Sequence, residues 1–113
     1  MKSDLPRQDA AKRGTMAPSE EEVREQLVRL LDSADFATSR RICDFLRFVT
    51  ERALTGEGKS IKQYTIGVEV YGRGPSFDPK SDPLVRIEAG RLRRALDKYY
   101  GGDGRRDPIL VQV

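Results

Sequence analysis

Seven cations lie between residues 84 and 106: Arg86, Arg91, Arg93, Arg94, Lys98, Arg105 and Arg106. Only Glu88, Asp97 and Asp103 oppose them, a local net charge of +4 in a chain whose total is +3. Guanidinium and ammonium groups gathered on one element bind phosphates or carboxylates, the guanidinium through a bidentate fork. On a helix turning about 100° per residue from Val85, Arg94 falls near 180°, Lys98 near 220° and Arg91 near 240°. Ile87 falls near 200° and Gly90 near 140°, while the apolar residues gather between about 320° and 60°. A merely solvated face has no use for Ile87, and Gly90 costs about 1 kcal/mol of helix propensity against alanine. Cations, an apolar contact and a close backbone approach together suit a helix in a DNA major groove. Arg86, Arg91, Arg93 and Arg94 are the expected contacts, with Ile87 and Gly90 permitting close approach. Lys59, Lys62, Lys80 and Lys98 are expected on phosphates, which position a protein without reading sequence.

The absent residue types point away from catalysis. The chain has no histidine and one cysteine, Cys43. A zinc site needs three or four ligands, so none is expected, and imidazole general-base chemistry is impossible. One cysteine makes no internal disulfide, and Cys43 reads more plainly as a small half-buried thiol than as a redox centre. Asp78 and Asp82 suggest a magnesium nuclease, but each precedes a proline and is better explained as a turn or cap residue. Neither an enzyme nor a cofactor is expected.

The elements that must carry the basic residues follow from apolar spacing and caps. With 113 residues the chain suffices for one domain. No apolar run exceeds three residues and no signal-peptide core is present, so neither a membrane nor export is expected, and the chain reads as cytoplasmic. Residues 1–18 lack apolar periodicity and read as a disordered tail, with the domain over 19–113. Ser19 and Glu22 form a capping box for a first helix at about 20–33 with Val23, Leu27, Leu30 and Leu31 on one face. That stretch is acidic, with five acids against two bases over residues 19–32. Thr38 or Ser39 caps a second helix ending at Gly56, with Ile42, Phe45, Leu46, Val49 and Ala53 in its stripe.

Residues 61–72 fit two patterns. Ile61, Tyr64, Val68 and Tyr71 share a helical face, whereas Ile66, Val68 and Val70 alternate like a strand. Ser60 with Gln63 makes a second capping box, which favours helix. A Gly-, Pro-, Ser- and Asp-rich turn follows. Asp82 as cap and Pro83 as first residue then open a helix at 83–100, with Val85, Ala89, Leu92, Leu96 and Tyr99 buried and Gly101-Gly102 ending it. Ile109 to Val113 reads as a β-strand. Phe45, Leu46, Val49, Tyr64, Val68, Val85, Leu92 and Leu96 are expected to form one core.

Helix, turn, basic helix and strand is the order of a winged helix-turn-helix. The stretch from Asp82-Pro83-Leu84-Val85-Arg86-Ile87-Glu88-Ala89-Gly90 to Arg91-Leu92-Arg93-Arg94-Ala95-Leu96 resembles the recognition helix of the OmpR-type winged-helix effector domain. Phe45-Leu46-Arg47-Phe48-Val49, the block Tyr64 to Arg73, and Ser76-Phe77-Asp78-Pro79 are similar to a bacterial winged-helix domain. That domain occurs at the N-terminus of proteins carrying adenylate-cyclase-like or tetratricopeptide modules. The resemblance covers about residues 36–113. It implies a mainly α fold with a small β component, winged helix-turn-helix-like, and transcription regulation through DNA contact by the helix at 83–100. The OmpR type has a β-sheet before its helices, whereas this chain has a tail and an acidic helix. The second wing strand would follow Val113, so the wing is expected to be cut short.

Double-stranded DNA is thus the expected partner. The rival expectation is a protein-interaction or signalling module that does not bind DNA directly. Its Arg face or acidic first helix would dock a protein partner or a further domain of a longer chain. The strand at 109–113 is expected to pair within the domain or across a homodimer, or else to fray. A net charge of +3 favours that rival, since strong DNA binders are usually more basic.

Overall fold

The computed structural model describes residues 17–58 and 61–113, which form five helices and no strand. The chain is mainly α, as its apolar spacing predicts. Most of the expected tail, residues 1–16, together with Lys59 and Ser60, lies outside the described residues.

Helix α1 spans Glu20–Asp32 and begins with the expected capping box. Ser19 Oγ accepts from Glu22 N at 3.1 Å and Glu22 Oε1 accepts from Ser19 N at 2.8 Å. Leu27 and Leu30 face the core. A single turn not foreseen from the sequence, α2 (Ala34–Ala37), inserts the fully buried Phe36 between α1 and the next helix. Helix α3 spans Arg40–Leu54 and buries Ile42, Phe45 and Leu46, with Val49 half-buried and Ala53 exposed. The Cys43 thiol donates to the Phe36 carbonyl at 3.2 Å, and burial pushes its pKa up. It is half-buried in the way the sequence suggests.

Helix α4 spans only Gln63–Glu69, shorter than the expected 61–72, and its cap residue is Lys62 rather than Ser60. Its apolar face is also rotated from the expected one. Ile66 and Gly67 are buried, Tyr64 is exposed, and Val68 is half-buried outside the core cluster. The cause is Phe77 in the following turn. Its ring lies over Gly67, where a Cβ would come within 2.3 Å of Cε2. Tyr64 packs on the outer side of that ring at 6.3 Å between centroids and donates to the Pro75 carbonyl at 3.3 Å. The helical reading of this segment holds, and its core residue is Ile66.

Helix α5 spans Leu84–Gly101 and packs its buried side against α2, α3 and α4. Pro83 occupies the cap position, one residue later than expected, while Asp82 Oδ1 still accepts from Leu84 N at 3.1 Å. Leu84, Val85, Leu92, Ala95, Leu96 and Tyr99 are buried. A polar node joins its end to α1. The fully buried Gln26 donates through Nε2 to Tyr100 Oη at 3.1 Å and Asp107 Oδ2 at 2.9 Å.

The expected strand at 109–113 is not one. A strand needs a neighbouring backbone, and none of the described residues supplies it. Side chains of α5 take that place: Tyr100 Oη donates to Ile109 O at 2.8 Å and accepts from Val111 N at 3.1 Å. Arg93 Nε donates to Val113 O at 3.0 Å. Val111 packs on the core, while Leu110 and Val113 stay exposed. The small β component is therefore missing among the described residues.

Candidate nucleic-acid interface

The solvent side of α5 is set by what the core takes. Seven residues between Leu84 and Tyr99 are buried, one of them the carboxylate Glu88. The remaining face carries Arg86, Ile87, Arg91, Arg93, Arg94, Asp97 and Lys98, all exposed. Ile87 is 49% exposed, so the apolar residue that the sequence places among the cations does stand in solvent. Arg94 and Lys98 have no ion-pair partner among the described residues, which leaves their donors available.

The expected contact residues separate into groups. Ile87, Arg91, Arg94 and Lys98 share the outward face at about 180–240° from Val85. Arg86 and Arg93 lie on one flank, near 100° and 80°. Both are tied to backbone there: Arg86 Nη1 donates to the Pro79 carbonyl at 2.7 Å and Arg93 Nε to that of Val113. Gly90 is half-buried at the edge of the face. A Cβ there would meet only the Arg94 guanidinium, at 3.4 Å from Nη1, so Arg94 lies along the surface that glycine leaves flat. Lys62 caps α4 on the Arg86 and Arg93 flank, and Lys80 stands exposed in the turn before α5. Lys59 lies outside the described residues.

The other flank holds what sequence reasoning missed. Glu88, near 300°, is 2% exposed and has its Oε2 3.5 Å from Arg41 Nη1 on α3 and 3.7 Å from Arg91 Nη1. Its Oε1 is buried without a hydrogen-bond partner. Tyr71 closes the cluster, donating to the Arg41 carbonyl at 2.8 Å with its ring 5.9 Å below the guanidinium. Burial first, then the Glu88 charge, push the Tyr71 phenol above its usual pKa, and Arg41 acts in the opposite direction. The legible signal was the position of Glu88 about 20° from the edge of the apolar stripe, where a carboxylate must find a cation.

Asp78 and Asp82 do the turn and cap work their prolines suggest. Asp78 Oδ1 accepts from Lys80 N at 3.0 Å, and Asp82 Oδ2 pairs with Arg73 Nε at 3.4 Å. Among the described residues no cluster of histidine, cysteine or carboxylate side chains could hold a metal ion. Among them, too, no helix is long and apolar enough to cross a membrane. No protein family, curated protein or solved structure matches the chain.

Proposed function

We propose that α5 is the recognition helix of a winged-helix-like transcription-regulator domain and enters the major groove of double-stranded DNA. The observation that carries this is the outward face of α5, where the exposed Ile87 is followed along the same side of the helix by Arg91, Arg94 and Lys98. A helix about 10–12 Å across fits a groove about 12 Å wide. From Ile87 to Lys98 the face runs about 16 Å, which spans about five base pairs. Arg91 and Arg94 offer forks for guanine or phosphate, Ile87 an apolar contact for a thymine methyl, and Lys98 a point charge for phosphate.

The test is fluorescence anisotropy on labelled duplexes with single variants. Lys98→Ala should weaken every sequence alike. Arg94→Ala, if its fork reads a guanine, should cost about 1–3 kcal/mol and relax preference at one base pair. Glu21→Gln and Glu25→Gln on α1 should alter neither quantity. Equal affinities for all of these variants would remove α5 from the interface.

A second reading as a protein-interaction module has one observation in its favour. A groove of about 850 Å3 runs beneath 109–113 between α1, α3, α4 and α5, lined mainly by apolar side chains. Its charged lining residues are Lys62, Arg86 and Arg93, all cationic. Capture of an acidic, apolar peptide there, together with no duplex binding, would favour that reading.

A further inference from the structure

We propose that Arg41 on α3 and Arg91 on α5, held together by the buried carboxylate of Glu88, form a seat for one backbone phosphate of duplex DNA. The inference rests on the DNA reading of α5 and extends its interface onto a second helix. Both guanidinium nitrogens approach the same Glu88 oxygen, so they lie no further apart than the sum of the two distances, about 7 Å. Two like charges that close repel unless an anion sits between them. Glu88 is that anion, and its burial fixes it in place.

The contacts at 3.5 and 3.7 Å are longer than a formed hydrogen bond, so the carboxylate gathers the arginines without consuming their forks. Both side chains remain more than half exposed, 60% for Arg41 and 57% for Arg91. Two cations and one carboxylate leave a single positive charge, which matches the single negative charge of a phosphodiester. Arg41 is further braced by Tyr71 beneath its guanidinium. The other nearby carboxylate on α3, Asp44, is engaged by Arg40 and Arg47. A buried, half-satisfied carboxylate costs stability that an apolar residue would not. Its gathering of two exposed arginines at the edge of the outward face of α5 gives that cost a function.

The sign of one substitution separates positioning from bulk charge. Glu88→Gln adds one unit of positive charge, so simple attraction predicts tighter DNA binding. The seat predicts the opposite, with affinity for a labelled duplex falling about threefold or more as the arginines part. Arg41→Ala should weaken all duplexes alike and flatten the log–log salt slope by about 0.9, the share of one phosphate. Arg41→Lys should keep the slope and still lose affinity, because it keeps the charge without the fork. Circular dichroism melts check each fold. Should Glu88→Gln fail to fold, the Arg41 pair decides alone. Tighter binding by a folded Glu88→Gln, or a wild-type slope in Arg41→Ala beside a weakened Lys98→Ala, overturns the seat and leaves α5 as the reader. Wild-type protein that binds no duplex overturns both.

Discussion

Replacing Gly90 by alanine should make the protein more stable and a poorer DNA binder. The backbone of Gly90 is not among those with positive φ, so alanine fits without strain. Its new methyl would meet only the far end of Arg94, at 3.4 and 4.0 Å, a flexible group that can shift. The helix then gains most of the propensity difference between the two residues, roughly 0.5–1 kcal/mol. For a domain of this size that raises the thermal midpoint by about 2–8 °C, readable by circular dichroism. On the proposed DNA reading the methyl stands at the edge of the face carrying Ile87 and Arg94, where it would displace the Arg94 guanidinium and hold the backbone further from a duplex. A loss of about 1 kcal/mol, roughly fivefold in Kd, is expected by fluorescence anisotropy on a labelled duplex. Higher stability with unchanged affinity would refute the close approach at Gly90, and lower stability would refute the helix geometry around it.

Gly67 should behave in the opposite way. Alanine gains the same propensity there, but its Cβ would fall within 2.7 Å of three Phe77 ring atoms, so overpacking wins and urea denaturation should show a net loss of about 1–2 kcal/mol. Leu92→Ala, at a side chain with no exposed surface, should cost about 2–5 kcal/mol by the same measurement, and a loss below 1 kcal/mol would contradict its central place. Alkaline pH should unfold the protein through Tyr71 and Tyr99, whose phenols are raised in the folded state chiefly by burial. Because the folded protein holds these protons more tightly, their contribution is intact below the unfolded value of about 10 and is lost as pH rises beyond it. Phenolate absorbance and loss of helix should therefore rise together above about pH 10, and ionisation of both phenols in a fully helical protein would contradict their burial.

Local signals were legible where the neighbours that matter are close in sequence. The Ser19–Glu22 box and the exposed Ile87 each follow from residues within a turn or two, and the structure places them as the spacing suggests. The expected Asp82 cap moves one residue on to Pro83, with Asp82 still accepting from Leu84 N. The α4 face was misread because Phe77, ten residues after Gly67, decides which side is covered. No periodicity within 61–72 reports that contact. The strand at 109–113 was misread because alternating apolar residues state a preference for a partner, and the ladder is taken instead by Tyr100 and Arg93. At the candidate site, the outward cations were visible on a helical wheel. Arg41 was not, since it joins Arg91 only through the crossing of α3 and α5 at Glu88.

The most direct test of α5 as a DNA-recognition helix is the affinity of wild-type protein for duplex DNA measured at about 50 and 200 mM salt. The seat shared by Arg41 and Arg91 would take one phosphate and Arg94 and Lys98 up to two more, so the log–log slope should be about −2.7 and affinity should fall about 40-fold between the two conditions. Absence of binding to any duplex at about 50 mM salt, or affinity that does not change with salt, would contradict the account.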